Sequence, residues 1–312
     1  MKQFIIKITL FSILLSIVIL VLSKFDNLDK TTTSNNNIIS LQQKSKFDSL
    51  DILFVGNSYC YSGIMPSLFD KNNIKTYNLG IATAGPYFYE IIIDDYLEFV
   101  ESKPKSIFIL TSPMTFSSQA DNFKEYPIHR YLEKPISNEK IIFQYDFELK
   151  YFDILTKSVK KGAHNLVKWN KENKTNELIK SKGFLASSAS NNDKITRNSR
   201  HLYLHLKNER FNQMKFEYMI KYLNRLQNKG IEIVYYELPT NMLNEYFSEI
   251  YMKSYKTALK KLKSSYRFIP NDLYLKNKYF RNIDHLNTVG ARIVTHNLID
   301  RITKNEIIAK NK

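Results

Sequence analysis

Apolar positions along the chain fall into two alternating spacings. Short strand-like segments occur at Asp51 to Val55 (DILFV), Lys75 to Leu79, Ser106 to Leu110 (SIFIL), Ile231 to Leu238 (IEIVYYEL) and Arg267 to Ile269, of which the first and third are nearly unbroken apolar runs that read as buried strands. Between them the apolar residues recur at helical spacing. Ile64, Leu68 and Phe69 share one face, Tyr87 to Val100 fits an amphipathic helix, and Phe211, Met214, Ile220, Leu223 and Leu226 line another that stops at Gly230. Met242 to Leu262 and Val289 to Ile302 complete the set. Strands alternating with helices predict a parallel sheet held between two helical layers, a three-layer α/β/α domain.

The pattern changes at the amino terminus and in the middle. Lys2 and Lys7 precede the apolar run Ile8 to Ser23, which Phe4 to Ile6 extend to spanning length. Basic residues on its amino side predict an uncleaved, single-pass anchor over 1–23 with the rest of the chain outside the cytoplasmic membrane, since Val21-Leu22-Ser23 is a poor cleavage site. Residues 24–50, with the TTTSNNN tract, read as a flexible linker, and the domain fills 51–312. Within it, 116–206 reads as an inserted, mainly helical cap with pieces at Phe147 to Lys160 and Leu166 to Ile179. Trp169, His201 and His205 lie there and read as packing or surface residues.

Composition narrows the chemistry. The 312 residues are 43% hydrophobic, ordinary for a globular chain, and carry a formal net charge of +16. That charge suits approach to polyanions, but no Arg/Lys and aromatic module of the kind that reads nucleic acid is present. The one cysteine, Cys60, excludes an intrachain disulfide and reads as a small buried hydrophobe. Without Cys/His pairs at ligand spacing no metal site is expected, and nothing calls for a cofactor.

Chemistry concentrates where the first strand ends. Gly56-Asn57-Ser58 turns the chain from strand into helix and places a serine at the carboxyl edge of the sheet, where open α/β sheets bind ligands. Far downstream, Asp284-His285-Leu286-Asn287 presents a histidine just before the last helix. Serine early and histidine late is a workable order for nucleophilic catalysis. The two blocks together resemble the SGNH (GDSL-type) hydrolase superfamily, with its flavodoxin-like α/β/α fold. The block His285 to Ala291 (HLN-x-x-GA) is similar to the membrane-anchored bacterial branch that handles acyl groups on cell-surface polymers. The resemblance covers 51–85 and 230–302.

The resemblance implies roles for further residues. Ser58 is the nucleophile and His285 the base. The family's acceptor for the histidine stands three residues before it, where this chain has Asn282; Asp284 and Asp272 are the other candidates. Asn78-x-Gly80 matches the opening of the block whose glycine gives its N–H to the oxyanion, with Thr83 where the later glycine is expected and Gly85 two residues on. Asn57 belongs to the serine turn. The family's oxyanion asparagine is replaced by Thr111-Ser112-Pro113-Met114, leaving Thr111 or Ser112 to substitute. The implied activity is that of a serine esterase or O-acyltransferase on acyl groups of cell-surface glycans or teichoic-acid-like polymers, with a membrane-bound acyltransferase as partner. The alternative is a catalytically degenerate member that binds or assembles with an envelope polysaccharide machinery.

Overall fold

The computed structural model describes residues 6, 7, 9–11, 13–18, 21, 50–118, 120, 121, 181–185, 204–240, 246–269, 272–282 and 285–304. The chain divides into two compact units, 1–36 with 123–175 and 37–122 with 176–312. In the first, the described residues between 6 and 21 are helical. No helix among the described residues is long and apolar enough to cross a membrane. The linker over 24–49 and most of the expected cap, with Trp169 and His201, lie outside the described residues.

The second unit runs β1 (Ile52–Val55), α1 (Ser58–Gly63), α2 (Pro66–Phe69), β2 (Thr76–Asn78), α3 (Pro86–Phe99), β3 (Ser106–Thr111), α4 (Gln213–Asn228), β4 (Glu232–Glu237), α5 (Glu249–Ser265), β5 (Arg267–Ile269) and α6 (Thr288–Thr303). The five strands form one sheet in the order β2-β1-β3-β4-β5. Every pairing is parallel; Ile52, for instance, lies opposite Thr76 on one side and Ser106 on the other. All residues of β1, β2 and β3 are buried, which is why β1 and β3 are almost unbroken apolar runs, while β2 buries the polar Thr76 and Asn78 as well. One helical layer holds α6 against α1 and α2; the other packs α3 against α4, with α5 joined through Phe116. The result is the three-layer α/β architecture expected from the pattern.

Local chemistry moves several element ends. The helix expected to run on from Ser58 breaks at Ile64 and Met65, because Pro66 starts a new helix without needing a backbone donor. Asn212 caps α4 by accepting from the Lys215 N–H, so that helix begins two residues after Phe211. Ser248 does the same for α5 through the Tyr251 N–H, well after the expected start at Met242. Gly230, at φ +80°, makes the left-handed turn that leads α4 into β4.

The order 2-1-3-4-5 reverses direction between β1 and β3, and the carboxyl edge of that junction is the natural ligand crevice of a doubly wound sheet. Ser58 stands three residues past the end of β1, directly on that edge.

Candidate active site

Ser58 is the first residue of α1 and half-buried. Its position is set from below by Gly56, where an added Cβ would come within 2.7 Å of the Cys60 Cβ and 2.9 Å of the Leu110 carbonyl oxygen. Asn57 caps the helix: its Oδ1 accepts from the Tyr59 N–H at 3.1 Å and its carbonyl from the Cys60 N–H at 2.9 Å. Neither atom takes the Ser58 N–H, which remains a first-turn donor beside the serine hydroxyl.

The far end of α1 is clamped by Asn78, fully buried at the end of β2. Its Nδ2 donates to the carbonyls of Cys60 and Ile64, and its Oδ1 accepts from the Gly80 N–H at 2.9 Å and from the Cys60 Sγ at 3.1 Å. Both donors and the acceptor of the amide are thus used, and burial pushes the Cys60 thiol up, leaving it an inert packing group.

His285 arrives on a tight loop built by the HLN-x-x-GA block. The Arg281 N–H donates to the His285 carbonyl at 2.7 Å and the Asn287 N–H to the Tyr279 carbonyl at 3.0 Å, with Phe280 and Leu286 bridged antiparallel. Asn287, buried, caps α6 through the Val289 and Gly290 N–H groups and donates to the Lys278 carbonyl. Gly290 is required because a Cβ there would meet the Tyr279 carbonyl oxygen at 2.2 Å. The motif residues around the histidine therefore build its platform.

The structure brings three of the expected residues together. His285 Nε2 lies 2.7 Å from Ser58 Oγ, and His285 Nδ1 lies 3.2 Å from Asn282 Oδ1. The same Oδ1 accepts the His285 backbone N–H at 2.7 Å, which fixes which end of the Asn282 amide faces the ring. An oxygen in that place makes Nδ1 the protonated nitrogen, so Nε2 carries the lone pair and accepts the serine proton. Of the other acceptor candidates, Asp272 pairs with Arg301 on the surface, and Asp284 lies outside the described residues. The Tyr59 ring stacks on the imidazole, centroids 4.9 Å apart and planes 3° from parallel.

The expected oxyanion donors have different partners. The Gly80 N–H is spent on Asn78 Oδ1, and Gly80 serves close packing, since a Cβ would lie 2.4 Å from the Tyr61 nitrogen. The Gly85 N–H is taken by Asp121 Oδ1 at 2.8 Å. Thr111 Oγ1 donates to the Tyr235 hydroxyl inside the core, and the buried Ser112 hydroxyl accepts from Asn57 Nδ2 at 3.3 Å, so Ser112 braces the turn from behind. Thr83 is exposed and sits at φ +59°, a left-handed conformation that a β-branched residue seldom adopts. The 80–85 loop lies against the serine turn through the Ile81 N–H, 3.0 Å from the Gly56 carbonyl.

What holds that loop is a pair of residues that no motif marked. Asp121 and Lys215 are both fully buried, their charged atoms 3.6 Å apart. Asp121 Oδ1 takes the Gly85 and Phe88 N–H groups, capping α3, and the Asp121 N–H donates to the Thr83 carbonyl at 2.7 Å. Lys215 Nζ donates to the carbonyls of Ser117 and Ala120. Burial raises the Asp121 carboxyl above its ordinary range, against the pull of Lys215 and the backbone donors. The one sequence signal was a lysine at position 215, on the apolar face shared by Phe216 and Met219. Among the described residues no cluster of side chains could hold a metal ion.

No protein-family model matches the chain. No curated protein matches it. Among solved structures it is similar to a candidate platelet activating factor from Streptococcus pneumonia, with a TM-score of 0.40 and 14% identity over 86% of this chain and 92% of that one. It is also similar to a candidate acylhydrolase from Bacteroides fragilis, with a TM-score of 0.37 and 12% identity over 85% and 94% of the two chains. Likeness at this level decides nothing about the chemistry, which rests on the geometry of Ser58, His285 and Asn282.

Proposed function

We propose that the protein is a serine ester hydrolase or O-acyltransferase of the SGNH type, with Ser58 as nucleophile and His285 as general base. The observation that carries the reading is the 2.7 Å contact between Ser58 Oγ and His285 Nε2, on a ring whose tautomer Asn282 sets for proton acceptance. In this reading Ser58 Oγ attacks the acyl carbon as its proton passes to Nε2. The Ser58 N–H supports the oxyanion, and the imidazolium returns the proton to the departing alkoxide. Water then releases the acyl group in an esterase; a sugar hydroxyl accepts it in a transferase.

The finer reading adds place and substrate. Lys2, Lys7 and the apolar run to Ser23 favour a membrane-tethered protein acting on the outer side, and the formal charge of +16 suits an anionic envelope polymer such as a teichoic acid. A membrane-bound acyltransferase would supply the acyl group. Asn282 favours one second reading, a non-catalytic partner in polymer modification, because it brings no charge to the histidine.

Incubation of the full-length protein with a serine-reactive fluorophosphonate separates the two. Labelling of the wild type that disappears in folded Ser58→Ala and His285→Ala supports the enzyme. A folded wild type that is never labelled supports the partner.

A further inference from the structure

We propose that Tyr59 is a positioning residue for the Ser58–His285 reaction, its ring supplying part of the cation stabilisation that a carboxylate at position 282 would give. The inference rests on the serine-ester reading above. Its observation is separate: the Tyr59 ring lies parallel to the imidazole, 4.9 Å between centroids and 3° between planes.

The placement is enforced. Tyr59 follows the nucleophile in α1, its N–H is fixed by Asn57 Oδ1 at 3.1 Å, and the residue is 6% exposed. The histidine loop is pinned independently through Asn287 and Gly290. Neither ring needs the other to be where it is, so their stacking is a consequence of two rigid supports.

Charge is where the arrangement matters. As the Oγ–acyl bond forms, the Oγ proton moves to Nε2 and the imidazole becomes a cation. Asn282 accepts the Nδ1 proton but is neutral, while the Tyr59 ring lies against the face of the imidazole. Asp284, next to His285 in the chain, is outside the described residues. An aromatic face carries negative quadrupole density, and its attraction grows when the ring above it gains charge. The contact is therefore stronger after proton transfer than before, which is the condition for it to raise the rate.

The test is the second-order rate of fluorophosphonate labelling of the full-length protein, for Tyr59→Phe, Tyr59→Leu and Tyr59→Met, each with Asn282 and with Asn282→Asp. Tyr59→Phe keeps the π face and stays within about twofold of wild type. Tyr59→Leu loses about fivefold to tenfold with Asn282, shrinking to about twofold or less with Asn282→Asp, where the carboxylate carries the cation. Tyr59→Met offers a longer, flexible apolar chain that adapts to the space and follows Leu, which covers a poorly folding Leu variant. Equal losses in both backgrounds, or a Met variant as fast as wild type, would assign Tyr59 a packing role and overturn the proposal. A wild type that is not labelled at all removes the serine-ester reading itself, and this proposal with it.

Discussion

The two kinds of support around the site are built in opposite ways. Ser58 and His285 each sit on a short local device, a capped turn ending in α1 and a looped platform before α6, and what reaches the serine turn from farther along the chain, Asn78 and Ser112, is neutral. The 80–85 loop beside the serine turn is held from far along the chain, by Asp121 on the segment after β3 and Lys215 in α4. Local devices hold a side chain to hydrogen-bond precision with neutral groups. The distant brace uses two buried charges, and such a pair fails badly when one member is lost.

That difference is broken most directly at Lys215. Lys215→Met leaves the Asp121 carboxylate buried without its counter-charge and orphans the Ser117 and Ala120 carbonyls, an expected loss of about 3–5 kcal/mol in urea unfolding. Adding Asp121→Asn recovers part of it, because the amide oxygen can still cap α3. The pH dependence gives the sign. Asp121 titrates above its ordinary value in the folded protein, so its stabilising contribution is present at acid pH and is lost as pH rises through the folded value. Removing the Lys215 charge raises that value further. The deficit of Lys215→Met should therefore grow from acid to neutral pH; a deficit independent of pH would show that the two charges are not coupled.

The same contrast explains what could be read from the residues. Strands such as Ser106 to Leu110 were legible because total burial leaves an unbroken apolar run. Ser58, His285 and Asn282 were legible because the turn and platform that present them are contiguous in sequence. Gly80 and Gly85 differ from the expected oxyanion donors because their N–H groups are claimed by Asn78 and Asp121, and partner choice depends on tertiary approach. Asp121 and Lys215, 94 positions apart (215 − 121), carry no spacing signal at all. The helix starts at Asn212 and Ser248 were blurred for a smaller reason: apolar periodicity runs past a cap, and only the capping hydrogen bond marks the end.

Asn282 tests the local side. A serine protease loses about 10⁴ in rate when its aspartate becomes asparagine, because the wrong histidine tautomer results. Here the His285 backbone N–H holds the Asn282 oxygen toward the ring, so the tautomer is already right and the amide differs from a carboxylate there in charge. Asn282→Asp should then raise the labelling rate by about tenfold, the difference between a neutral and a charge-assisted hydrogen bond, and not by thousands. A gain near 10⁴ would mean that the amide turns over in solution. A drop would mean that the neutral amide is itself required.

The smallest expected effect lies on the distant side, at Thr83. A β-branched residue at φ +59° bears a left-handed penalty of about 1–2 kcal/mol, and glycine relieves it at an unfolded-state entropy cost of about 0.5–1 kcal/mol. Thr83→Gly should therefore stabilise by up to about 1 kcal/mol, a rise of about 2–4 °C in Tm for a domain of this size. The labelling rate should barely move. The loop path is fixed by the backbone bonds from the Ile81 N–H to the Gly56 carbonyl and from the Asp121 N–H to the Thr83 carbonyl, and the Thr83 carbonyl is kept by glycine. A more stable but slower protein would show that the strain at Thr83 sets the loop for the reaction, and the Asp121 brace would then only resist it.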